Sequence, residues 1–298
     1  MRDRGQRDAS HDYRFGLVCL VSASFFTSLA GILLRHVEAA DGWQVLFYRS
    51  LALVATLLVF LLWRHGRGTA RAFRAVGRPG LAVAVFLGAA FMLFIFALLQ
   101  TTVASVVFTV SLSPFFAALF AWLILREAVR PATWAAMVIS LAGVGLMVGD
   151  GLAAGTAGGN LLALVCSLCY AAALVALRGG RAVDMIPAVC LAGVVAAAVS
   201  AVMAPGLAIG GRDLALALAL GVVQLGFQYI LLTTGTRHVP AAEVALVGRL
   251  TLVMAPLWVW LGVGEVPSAL TLLGGLVVLL AVTGHGLFAL RRVRRQAV

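Results

Sequence analysis

Apolar residues fill this chain in long unbroken runs, separated by short polar or glycine-rich breaks. The runs are Phe15–Leu34, Trp43–Trp63, Pro79–Leu99, Val103–Leu125, Ala132–Gly149, Gly159–Leu177, Met185–Met203, Leu214–Thr233, Ala241–Val263 and Ser268–Leu290. Each is close to the roughly 20 residues a helix needs to cross a hydrocarbon core of about 30 Å. They are uniformly apolar, without the alternation of barrel strands, so helices are the only candidate. No small-x-small cleavage pattern leading into a polar region follows the first run, so it is read as a span and not a signal peptide. The pattern predicts an all-α integral membrane protein of ten transmembrane helices. A polar tail at residues 1–14, expected to be disordered, precedes them. A Gly/Ala-rich linker at 150–158 divides them, and a basic tail at 291–298 follows.

The fourth and ninth runs are related. Shifting Ala104–Glu127 by 138 residues onto Ala242–Glu265 leaves eight of 24 positions identical, among them Trp122/Trp260 and Glu127/Glu265. Apolar helices share some identities by chance, but a Trp and a Glu matched at one spacing point to an internal duplication. The repeats are then 15–149 and 159–290. Five spans per repeat is odd, so the two copies must lie in opposite senses across the bilayer. Inverted repeats are a recurrent device of secondary transporters, whose two halves open on alternate faces around a central site.

Composition agrees with the membrane reading. The chain is 63% hydrophobic and 11% charged, against about 25% charged in a soluble domain. The net charge of +11 does not mark a nucleic-acid surface, because the arginines sit between apolar runs and not on one patch. They set a topology instead. With the N-terminus inside, eighteen arginines are cytoplasmic and two, Arg35 and Arg212, lie opposite; Arg49 and Arg249 are within spans. Both termini are therefore expected in the cytoplasm. The four cysteines fall inside apolar runs and are read as buried thiols. Cys166 and Cys169 have metal-pair spacing but no second pair of ligands.

The block PhePheAlaAlaLeuPheAlaTrp through Arg126-Glu127, its copy at 256–267, Gly274-Gly275 and PheTyrArgSer at 47–50 resemble the drug/metabolite transporter superfamily, closest to the EamA-domain branch. The resemblance covers about residues 15–290. It implies a ten-helix bacterial inner-membrane carrier, usually an exporter of amino acids, other metabolites or drugs. Arg49 stands where many members carry Arg in the second span. The ninth span departs from the family pattern, with Arg249 and Thr251 where members similar to this one carry apolar residues and often an acid.

Candidate chemistry lies in the few polar residues within spans. Ser105, Thr109 and Ser113 recur every four positions, one stripe of a helix. The same stripe in the ninth span is Glu243, Val247 and Thr251. Such stripes either line a cavity or fill close helix contacts. Arg249 lies roughly 12 Å into its span at 1.5 Å per residue, where a charge costs at least about 2.5–3.5 kcal/mol. It should face a wet cavity, with Gln224 and Gln228 at similar depth, or bond helix carbonyls. In the cavity its fork would suit a carboxylate or phosphate. Arg49 lies nearer a span end, within reach of the interface by snorkelling, with Glu38 or Asp41 as partners; a gate or plain structural role fits. Glu243 and His285 are placed near the cytoplasmic end, as an interfacial hydrogen bond or a site of proton coupling. Glu127 and Glu265 precede Pro131 and Pro267 and are read as caps of the turns into the fifth and tenth spans.

Neither a catalytic set, a metal box nor a phosphate-cradling loop is present, so no enzyme and no cofactor is expected. The partners expected are a small-molecule substrate, the bilayer and protons as a candidate coupling ion, in a monomer or homodimer. A secondary carrier working by alternating access fits best. A receptor or accessory subunit would need a larger soluble surface, and a lipid flippase or intramembrane enzyme would need paired carboxylates or His in mid-span.

Overall fold

A computed structural model describes residues 2–126, 131–179, 184 and 186–296; within its helices the side chains at 2–11, 125, 150, 153, 178–179, 241–242, 245 and 285–296 are not described. The described residues are helices and short connections, without a strand. Nine helices among them are long and apolar enough to cross a membrane, and Ala269–Gly284 is a shorter apolar stretch.

The first run is helix α1 (Arg2–Ser28), continued after a hitch at Leu29 by α2 (Ala30–Arg35). The backbone of residues 2–14, expected to be disordered, continues α1. No proline interrupts it, and extending an existing helix avoids the nucleation cost. Asp41 caps α3 (Gly42–His65) through a reciprocal bond set with Gln44, the capping-box arrangement that satisfies two otherwise unpaired N–H groups. The arginine-rich stretch that follows is a short 3₁₀ turn and helix α4 (Thr69–Ala75), before α5 (Gly77–Gln100).

Thr102 caps α6 (Val103–Val110) by accepting from Ser105 N–H, and α7 (Ser113–Leu125) completes the fourth span after a break. α8 (Pro131–Ala153) and α9 (Ala157–Gly179) follow. Their helical ends reduce the expected linker 150–158 to three residues outside the helices, 154–156, because neither its glycines nor its alanines forbid helix. α10 (Ile186–Met203) is the seventh span. The eighth is α11 (Gly211–Ala219), a π-helical segment (Leu220–Phe227) and α12 (Gln228–Gly235). The ninth is α13 (Ala241–Gly248) and α14 (Leu250–Val263), and α15 (Ala269–Gln296) closes the chain.

Contacts between spans follow a pattern. α3 packs on α10, α8 on α15, and α6 on α14. α5 packs on α9 and α10 and α9 on α6 and α7, while α1 packs on α12 and α14, and α3 also on α11 and the π segment. Exchanging the first five spans for the last five in order turns one set of neighbours into the other. The α8–α15 crossing is a backbone contact: a Cβ on Gly143 would stand 2.7 Å from Gly274 O, and one on Gly274 would run into Gly143 O. Glycine at both positions is what lets these helices touch, the close approach typical of membrane helices.

Buried side chains form a core around α3, α5 and α10, a second around α2, α6 and the start of α3, and a third around α6–α9 and α15. Outward-facing Trp122, Ile124, Val138, Trp260, Leu261 and Leu280 are exposed. An apolar exterior of this extent is unfavourable in water and favourable in lipid.

Candidate functional site

The fourth and ninth spans each break once, and the breaks coincide under the 138-residue shift: α6 ends at Val110 and α13 at Gly248. In the fourth span Pro114 stands at the start of α7 and has no N–H for the carbonyl of Val110. That carbonyl accepts instead from the hydroxyl of Ser113 and, at 3.4 Å, from Ser167 on α9. The backbone tightens locally, with Leu112 N–H on Thr109 O at 3.1 Å and Phe115 N–H on Leu112 O at 2.9 Å. In the ninth span Arg249 N–H bonds Leu246 O and Leu252 N–H bonds Arg249 O, both at 3.0 Å. The hydroxyl of Ser24 on α1 donates to Val247 O at 3.2 Å, and Thr251 donates to Ser24 O at 3.3 Å. Each break is thus dressed by a serine from a neighbouring span.

A cavity of about 320 Å³ lies between the breaks, within the range of small-molecule sites. Arg249, Gln224, Gln228, Ser113 and Thr251 line it, as do Arg49, Tyr170, Thr27 and Ser111 among the polar residues. None of its described lining residues is acidic.

Five of the seven residues expected at a substrate site are therefore brought together. Ser105 and Thr109 are not among the lining residues. Ser105 is buried and donates to Asn160 Oδ1 at 2.7 Å, alongside Thr101 at 2.8 Å. Asn160 in turn donates to Met147 O at 3.2 Å. This polar knot fastens α6 to α8 and α9. Thr109 is buried, its hydroxyl without a hydrogen-bond partner among the described residues. The lining positions of this span, Val103, Val107, Val110, Ser111 and Pro114, follow one helical face with Ser113 at its edge, and Ser105 and Thr109 lie off that face.

Arg49 is the larger correction. It does not snorkel, and its expected partners are engaged elsewhere: Glu38 pairs with Arg212 and Asp41 caps α3. Only 1% of Arg49 is exposed. It lies on the stripe Leu46, Arg49, Leu53, Leu57 that α3 turns inward, each of these leucines being fully buried. Its guanidinium donates to Gln224 Oε1 at 3.2 Å and to Phe91 O at 3.4 Å. The charge stands 5.7 Å from the centroid of the Phe91 ring, a cation–π distance. Its Nε has no partner among the described residues. Gly221 makes this possible, since any side chain there would strike Arg49 O and Ala52 Cβ. With glycine, the π segment lies against α3, and Gln224 reaches the guanidinium. π-helical turns are rare and concentrate at functional sites; glycine at 221 is a sequence trace of this one, but periodicity does not reveal it.

One end of the cavity is tied shut. Arg35 pairs with Glu265 at 2.7 Å and donates to Leu98 O and Thr101 O at 2.7 and 2.8 Å. Glu265 also accepts from Val103 N–H at 2.8 Å. Leu98 and Val103 themselves line the cavity, so this lock is its roof. Glu265 is a cap, but of α6 in the other half of the chain and not of the turn into the tenth span; the N-terminal N–H of α6 is an orphan donor that a carboxylate satisfies well. Beside it Asp213 accepts from the N–H groups of Glu38, Ala39 and Ala40 at 3.1, 2.9 and 2.8 Å. Toward the other end Glu243 accepts from Tyr13 O–H at 2.6 Å. The side chain of His285, its expected partner, and Glu127 lie outside the described residues.

A model of the EamA-like transporter family matches residues 14–149 and again 157–285. The chain belongs to that family. It is similar to the pseudopaline exporter CntI of Pseudomonas aeruginosa strain UCBPP-PA14, at 29% identity over 275 residues that cover 89% of this chain and 94% of the relative. The CntI protein of strain PAO1 is 28% identical over the same length. A solved structure with 20% identity matches with a TM-score of 0.62, over 95% of this chain and 99% of the other, a likeness of fold. The family is one of transporters, so this is a multi-pass membrane protein whose partners are a small-molecule substrate and the bilayer.

Proposed function

We propose that the chain is a secondary exporter of small metabolites working by alternating access, its substrate held in the cavity between the two helix breaks. The observation that carries the reading is the coincidence of those breaks. Discontinuous helices at matching positions of two halves place unpaired backbone and polar side chains at mid-membrane only where they line a site. The exchangeable pattern of helix neighbours and the twofold family match, at 14–149 and 157–285, support ten spans in two inverted repeats. The similarity to CntI supports export as the direction and a metabolite as cargo.

With both termini in the cytoplasm of a bacterial cell, the Arg35–Glu265 lock lies at the outer face. The structure then corresponds to a state closed outward, and rocking of the halves would break that lock to release cargo. Arg49 belongs to the first half, and Gln224, Arg249 and Thr251 to the second, so the site lies between the two parts that rock. Glu243 is the candidate for proton coupling.

Thr251→Trp places a large side chain in the cavity without touching the lock. In proteoliposomes loaded with a metabolite mixture, with a proton gradient imposed, the wild type should release specific solutes into the medium, read by mass spectrometry. The Trp variant, inserted equally, should release none above empty liposomes. Equal release by both proteins would remove the cavity from the transport path.

A further inference from the structure

The charge of the cavity narrows the solute class, on the reading that the cavity is where solute is carried. Two guanidinium groups, Arg49 and Arg249, line about 320 Å³ whose described lining residues include no acid. Neither arginine has an ion-pair partner among the described residues. Arg49 is almost wholly buried, yet its Nε is unpartnered and two of its five N–H donors account for its bonds to Gln224 and Phe91. A buried charge without a counter-charge is strongly unfavourable, and the described residues supply none here. A solute with one carboxylate answers one guanidinium and leaves the other. A zwitterion brings an ammonium to a wall that is already cationic, and a dication is repelled outright.

We propose that the site takes a small metabolite carrying two carboxylates, one held on Arg49 and the other on Arg249. The guanidinium fork matches a carboxylate with two parallel hydrogen bonds. The two arginines differ in how they are held. Arg49 is fixed by Gln224, the Phe91 carbonyl and the Phe91 ring. Arg249 sits at the helix break, and its side chain has no hydrogen bond among the described residues, so it is free to close on a second carboxylate. Gln228, Tyr170 and Ser111 supply neutral hydrogen-bonding groups along the rest of the solute.

Thermal-shift titration of the purified full-length protein tests this, with glutarate, adipate, butyrate, leucine, 1,5-diaminopentane and glycerol 3-phosphate at matched ionic strength. A dicarboxylate should bind at least about tenfold tighter than butyrate, and diaminopentane should give no shift. Arg249→Gln should weaken the dicarboxylate by about 30-fold or more and erase its advantage over butyrate, with Arg249→Lys restoring part of it. Arg49→Gln should do the same; if it does not fold, the wild-type panel and the partly exposed Arg249 still decide. Leucine, diaminopentane or glycerol 3-phosphate binding as tightly as the best dicarboxylate would overturn the inference, as would unchanged dicarboxylate affinity in Arg249→Gln. Transport separates this from the wider reading. If neutral or cationic solutes move and Thr251→Trp stops them, the exporter stands and the dicarboxylate falls. If dicarboxylates bind with the stated arginine dependence and nothing moves, the site stands and the exporter falls.

Discussion

The break between α6 and α7 and the break between α13 and α14 occupy matching places in the chain and are built by different means. The first has Pro114, which removes a backbone donor, and Ser113 and Ser167, which take up the carbonyl left over. The second has no proline at that place; Pro256 lies further along, inside α14. Its hitch at Gly248 and Arg249 is held from outside by Ser24. The shared position with unshared chemistry teaches that the break belongs to the fold, and that the residues around it are free to differ. Where the first break presents Ser111 to the cavity, the second presents Arg249. The two breaks share a position, and the second of them carries a charge.

Making the second break resemble the first removes the difference between them most directly. Arg249→Ser should lower transport of the native solute by about 30-fold or more, the scale of losing one partner of a buried charge pair. Ser111→Ala should cost a few-fold at most. Equal losses in the two variants, measured as initial rates in proteoliposomes at matched insertion, would mean that the asymmetry carries no specificity.

A smaller effect is expected at the roof. Glu265→Ala leaves Arg35 and the Val103 N–H without their shared acceptor, a loss of about 1–3 kcal/mol for partly buried groups. Thermal unfolding of the purified variant should shift downward, and labelling of a cysteine introduced at Leu98 by a water-soluble maleimide should rise. An unshifted unfolding curve would show that the end of α14 is not held by the start of α6.

The smallest effect is expected from Pro114→Ala. The second break exists without a proline at this place, so the first should survive losing its own, with transport changed by about twofold or less and stability within about 1 kcal/mol of wild type. A large loss would show that the two breaks have separate causes after all.

Much of this was legible along the chain. Spans of apolar residues mark the membrane helices because the bilayer offers backbone groups no partner, and the 138-residue shift exposed the relation between the broken helices. Arg249, Gln224, Gln228, Ser113 and Thr251 were recognisable as cavity candidates because polar side chains at mid-span need a reason to be there. The position of Arg49 is not legible, because α3 is apolar around most of its circumference and periodicity does not say which face turns inward. A snorkelling arginine and a central one then look alike. Ser105 went the other way: its stripe suggested a wall, and only the packing of α9 supplies Asn160 to absorb it. The proline beside Glu265 marks it as a cap, yet the N-terminus it caps is 162 residues away in sequence.

What each segment must be follows from its own residues: helical, membrane-spanning, and polar at a handful of costly positions. These follow from transfer energies and backbone hydrogen bonding, which act on every residue locally. Which of those polar positions meet is set by the packing of the helices. That depends on helix rotation and on contacts such as Gly221 against Arg49, where the absence of one side chain sets the approach of two helices. A cavity is a property of several helices at once, and no single span encodes it.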